Sequence, residues 1–177
     1  MTAEASGDGA AREAAAVAIG ARLAAIYAGI AERSMRDLPV YNPKLRVEAV
    51  GFHDDGGRVI GIVTTPWFMN VVVAASPFRP ALAYRPGGAT VTHDLPSGAY
   101  DFVVGEIADF GRIDSLSLFS PMFEFDDPDV VRTTAEAAMA ELRRAPEPPK
   151  PEVREKPVLD RRALLFGRRP RDEAASP

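Results

Sequence analysis

Leu45-Arg46-Val47-Glu48-Ala49-Val50-Gly51-Phe52, His53-Asp54-Asp55-Gly56-Gly57 and Arg58-Val59-Ile60-Gly61-Ile62-Val63-Thr64-Thr65 follow one another without a break. The outer two stretches are rich in strand formers and the middle one supplies turn chemistry, so the three predict a β-hairpin. Downstream, Pro66 interrupts, Met69 to Ala75 reads as another strand, and Ser76 to Gly88 forms a Pro/Gly-rich loop. Thr90–Leu95 and Tyr100–Glu106, joined across Pro96-Ser97-Gly98, predict a second hairpin, and Ile113–Phe119 a further strand.

Helical patterning brackets this β region. From Ala10 to Met35 the chain is Ala-rich, with Ala16, Gly20, Leu23, Tyr27 and Ile30 at three- and four-residue intervals and Ile19 and Ile26 widening the stripe. Pro39 and Pro43 end that helix. Asp127-Pro128 opens a last helix, with aspartate at the N-cap, proline at the first helical position, and Val131, Ala135, Ala138 and Leu142 as its buried stripe. A parallel α/β fold lacks its crossover helices here. The order predicts an α+β fold, an antiparallel sheet with N- and C-terminal helices packed on one face in two layers.

Composition bounds the function. The 177 residues, 46% hydrophobic and 26% charged, suffice for one folded domain plus tails. A net charge of -4, with Lys and Arg spread until the last stretch, argues against a nucleic-acid-binding body and suits a basic partner. The absence of cysteine excludes disulfides, thiolate metal sites and cysteine nucleophiles. Glu4 and Asp8 near the start do not make a secretory signal, and no run approaches the ~18 consecutive apolar residues of a membrane span, so a cytoplasmic location is expected. Residues 1–9 read as a disordered tail, 10–144 as the folded domain, 145–159 as a Pro-rich linker and 160–177 as a basic tail.

Two constellations stand out. Trp67, Phe68, Met69 and Asn70 follow a strand-breaking proline, and large aromatic and thioether groups exposed there would hold a peptide. Pro121, Met122, Phe123 and Glu124 sit in a second Met/Phe/Pro run interleaved with carboxylates, which suits a guest both apolar and basic. The competing reading puts single members of each run in the core, where such side chains usually go. No catalytic or metal site is expected. His53 in a turn and His93 in a strand read as surface or edge residues, Asp54-Asp55-Gly56-Gly57 lacks the later acid of a cation loop, and Glu106, Asp109 and Asp114 have no defined spacing.

Arg33-x-Met35-x-Asp37-Leu38-Pro39-Val40-Tyr41-Asn42-Pro43, Val47–Phe52, Thr65–Asn70 and Leu118–Phe125 together resemble the HybE/HupJ-type nickel–iron hydrogenase assembly chaperones. The resemblance spans the whole globular part. It implies a cytoplasmic accessory protein with a fold similar to that of small secretion chaperones. Such a protein acts on uptake-hydrogenase subunits before twin-arginine export and needs no cofactor. Some relatives carry a paired-cysteine rubredoxin module; this cysteine-free chain departs from that pattern. On this reading the small or large hydrogenase subunit, or a twin-arginine signal peptide, is the partner, and nucleic acid and stable membrane insertion are not. Glu124 and Asp37 would pair with guanidinium groups while Trp67, Phe68, Met69, Met122 and Phe123 cover the apolar part. The alternative is a scaffold that bridges or protects hydrogenase subunits without reading a signal peptide. In the tail, Arg161-Arg162-Ala163-Leu164-Leu165-Phe166 resembles the start of a twin-arginine signal and, tethered by the linker, is read as a mimic or a solvated basic tail.

Overall fold

The computed structural model of the protein describes residues 2–79 and 82–145. The linker from 146 onward and the Arg161–Phe166 motif lie outside the described residues. Helix α1 runs Thr2–Ile30 and widens into a π-helical turn over Ala31–Met35. Strands β1 (Glu48–Asp55), β2 (Arg58–Thr64), β3 (Met69–Ala75), β4 (Thr90–Leu95), β5 (Gly98–Ile107) and β6 (Gly111–Phe119) precede helix α2 (Pro128–Leu142). The six strands form one antiparallel sheet in the order β1-β2-β3-β6-β5-β4.

The antiparallel α+β architecture with terminal helices is the one the sequence indicates, but the helices do not share a face. Ile60, Ile62, Met69, Val71 and Val73 pack with Val131, Ala135, Met139 and Leu142 of α2. Val59, Val63 and Val72, the alternate positions, pack with Ala16 and Leu23 of α1. Successive strand residues point to opposite faces, so the two helices cover opposite sides and the molecule has three layers. The reason is visible in β2 and β3, which are apolar at consecutive positions and therefore have two faces to bury.

Three smaller expectations also change. The helix starts at Thr2, so of the stretch 1–9 read as a disordered tail the described residues 2–9 are helical; Asp8 and Arg12, one turn apart, pair at 2.6 Å. By length and composition Gly7–Met35 could cross a membrane, with a mean hydropathy of 1.7, yet Ala16 and Leu23 are buried against the sheet. In α2 the third buried residue is Met139 rather than Ala138. Asp127 caps α2 as expected, accepting from the Asp129 N–H at 2.8 Å.

A bulge sets the seat of α1. Val50 pairs with Ile62 and His53 with Ile60, leaving Gly51 and Phe52 opposite Gly61, with Gly51 at φ +64°. The extra residue turns Phe52 from the α2 face, where Val50 points, to the α1 face. Its ring lies between two glycines: a Cβ on Gly61 would sit 2.3 Å from the ring and one on Gly20 of α1 2.6 Å from it. Helix, ring and sheet thus meet where neither neighbour has a side chain.

The sheet also curls. Arg58 of β2 donates to His93 Nδ1 of β4 at 2.9 Å, although three strands separate them and a flat sheet would put them roughly 19 Å apart at the usual strand spacing. The curl encloses α2, whose Leu142 carbonyl accepts from the Ser97 N–H at the β4–β5 turn at 3.3 Å.

Gly61→Ala is expected to destabilise the domain by about 1–3 kcal/mol through overpacking against Phe52. Gly20→Ala should cost less, since alanine recovers up to about 1 kcal/mol of helix propensity. Chemical denaturation reads both, and Phe52→Leu combined with Gly61→Ala should lose less than the sum of the single changes.

Candidate aromatic docking surface

The β2–β3 connection is a tight turn built by Thr65. Its N–H donates to the Phe68 carbonyl at 2.8 Å, and its Oγ1 accepts from the N–H groups of Trp67 (3.2 Å) and Phe68 (2.9 Å). Pro66 supplies the fixed φ suited to the second turn position. Trp67 and Phe68 are therefore at a turn tip, both half-buried, rather than within a strand.

Their neighbours come from two other segments. Tyr41 stacks on Trp67 with centroids 6.2 Å apart and planes at 26°; Tyr27 of α1 meets Phe68 edge-on at 5.2 Å and Trp67 at 6.5 Å. Trp67 and Phe68 are themselves edge to face at 5.6 Å. Burial pushes the Tyr27 phenol above its ordinary pKa, so the ring stays neutral in this cluster.

Asn42 ties this cluster to the second constellation. Its backbone N–H donates to the Pro66 carbonyl at 2.9 Å, and its side-chain Nδ2 donates to the carbonyls of Met122 (2.9 Å) and Phe125 (2.7 Å). Its Oδ1 accepts from the Lys44 N–H at 3.2 Å. One buried amide thus holds the Trp67 turn and the Met122–Phe125 turn on either side of the 39–45 connector.

The sequence-selected residues divide accordingly. Phe123 is 59% exposed and Leu38 45%, and Pro121, Glu124 and Asp37 are exposed. Met69 and Met122 are both 0% exposed and belong to the α2-side core, so they are withdrawn from the contact surface. Met69 opens β3 beside Phe119, and Met122 is drawn inward by the turn that Asn42 holds. Asn70 is half-buried, and its Oδ1 has no hydrogen-bond partner among the described residues. Tyr27, Tyr41 and Asn42 were not selected from the sequence as site residues; Tyr27 looks like any member of a helical stripe, and Asn42 like loop polarity.

A second polar cluster corrects the reading of His93. It is buried, and its Nε2 donates to Asp114 Oδ2 at 2.8 Å. Arg58 can only donate, so Nδ1 is the acceptor and the proton resides on Nε2. Arg112 grips Asp114 through Nε and Nη2, each at 2.8 Å. With both ring nitrogens engaged and the carboxylate fully buried, this group is a tie between β2, β4 and β6. Glu106 and Asp109 are exposed and do not join it.

Comparison with known proteins follows the same outline. A profile of the family described as NiFe-hydrogenase assembly chaperone, HybE, matches residues 18–167. The hydrogenase expression/formation protein HupJ of Bradyrhizobium diazoefficiens is 49% identical, over 86% of this chain and 89% of its own length. Protein HoxT of Cupriavidus necator is 40% identical, over 79% and 83%. The solution structure of HybE from Escherichia coli superimposes with a TM-score of 0.59 at 29% identity, covering 86% of this chain and 91% of that one.

Asn42→Ala should lose about 1–3 kcal/mol of stability, because the Phe125 carbonyl is left without its donor and the Met122 carbonyl keeps only the Phe125 N–H at 3.3 Å. Asn42→Asp should be worse, because a carboxylate has no donor for them; denaturation monitored by emission of the single tryptophan reads both. At the sheet edge, burial raises the Glu48 carboxyl pKa, but hydrogen bonds from Arg132 and Arg46 outweigh it and hold the group below its ordinary 4.5. A depressed folded pKa gives stabilisation that is complete above 4.5 and lost as pH falls through the lower folded value, so Glu48→Gln should flatten the acid limb of the stability profile.

Proposed function

The chain belongs to the HybE family of NiFe-hydrogenase assembly chaperones, and on that footing we propose that its aromatic surface holds an immature nickel–iron hydrogenase subunit, or that subunit's twin-arginine signal peptide, before export. The observation that supports this reading most is the Tyr27–Tyr41–Trp67–Phe68 cluster, fixed beside the exposed Phe123 and Glu124 by Asn42. Rings locked by packing lose little conformational entropy when a guest covers them. A flexible surface would lose more.

A twin-arginine signal joins a pair of guanidinium groups to an apolar segment. Asp37 and Glu124 are exposed carboxylates without an ion-pair partner among the described residues, available to guanidinium groups. Exposed pairs contribute only about 0–1 kcal/mol, so the rings and Phe123 supply most of the affinity. The protein acts as a soluble cytoplasmic holder and not as a catalyst in this account.

Trp67→Ala should therefore weaken binding of the purified small-subunit precursor by on the order of tenfold or more, and Glu124→Gln by no more than about threefold. Calorimetric titration reads both; the reverse order refutes the division of labour. Full binding of a precursor lacking its signal peptide would favour a scaffold that grips the folded subunit instead.

A further inference from the structure

β1 is an edge strand, and among the described residues no strand pairs with its outer side; the His53 ring takes the Gly51 carbonyl at 2.8 Å. At the far end Glu13 of α1 closes the edge by accepting from the Asp54 N–H at 3.4 Å. Short of that end β1 forms the floor of a groove of about 810 Å³ with α1 as one wall and α2 as the other. Unpaired strand edges invite addition of a further strand, and proteins usually blunt them. This one is recessed and left open.

The walls differ in kind. On the α1 side the groove is lined by Val17, Ala21 and Ala24, with Ala49 of β1 packed against the core of that face. On the α2 side Glu48 is paired with Arg132 at 2.8 Å and with Arg46, and Glu136 lies on the rim. Alternate residues of an added strand would face these two walls in turn. We infer that β1 is a strand-addition site for an extended client segment whose residues alternate between apolar, toward α1, and polar, toward α2. Main-chain hydrogen bonds to β1 give affinity and the walls give the pattern. A second copy pairing through its own β1 would bring its own flanking α1 and α2 against these same walls, which argues against another copy of this chain.

The inference goes beyond the aromatic surface. Only the assignment of the segment to a client rests on the chaperone reading. The probe is a capped synthetic decapeptide of alternating valine and serine, titrated into the isotope-labelled full-length chain. Amide shifts are expected at residues 47–52, and affinity should fall on the order of tenfold or more when alternate peptide amides are N-methylated. Ala21→Arg, an exposed wall position, should block the groove with the fold intact, while Trp67→Ala should leave peptide binding unchanged. Equal binding of the N-methylated peptide, or shifts outside β1, overturns the inference. So does protection, in the peptide-free chain, of the outward-facing β1 amides that are not bonded to β2, whether it is relieved by removing residues 147–177, which means the chain's own tail fills the groove, or by dilution, which means a second copy does.

Discussion

Asn42 is a single buried amide whose every polar group is spoken for, and the candidate surface exists only because of where those bonds go. Its backbone reaches Pro66 and its side chain reaches Met122 and Phe125, so two turns distant in sequence are fixed to one connector. Remove it and the buried Phe125 carbonyl loses its partner, while the Met122 carbonyl loses the shorter of its two bonds. A buried side chain that satisfies main-chain carbonyls specifies geometry more strongly than an apolar contact of equal size, because the alternative is an unsatisfied acceptor.

The sheet beneath follows from a similar economy of means. A one-residue bulge at Gly51 turns Phe52 onto the α1 face, and glycines at 20 and 61 leave room for its ring. Without side chains at those two positions α1 approaches the sheet closely, which places Tyr27 against Phe68 and brings a helix to the aromatic cluster. On the other side the Arg58–His93–Asp114–Arg112 tie holds the curl that wraps α2.

Strands β3 and β4, the α2 cap and the antiparallel order were legible from local composition, since β-branched runs, Pro/Gly turns and Asp127-Pro128 each act locally. The face on which each helix packs was not, because it depends on a bulge whose only signal is one glycine among fourteen. It could have been suspected from the unbroken apolar runs Val59–Val63 and Val71–Ala74, which a one-sided sheet does not need. The site was half legible. Aromatic density marked Trp67, Phe68 and Phe123, but composition cannot separate a methionine that faces outward from Met69 or Met122, which end in the core. Asn42 and Tyr41 were visible only as part of a family-like motif, and their roles are matters of tertiary contact.

On the proposed reading, the surface of fixed rings and the recessed strand edge hold a client in two ways, one through side chains and one through the backbone. Trp67, the single tryptophan, reports on the ring surface without modification. Its emission and iodide quenching are followed as a tryptophan-free small-subunit precursor is titrated in. A guest seated on the rings gives a saturable blue shift with loss of iodide access; saturable binding with unchanged emission and quenching means that the guest sits elsewhere.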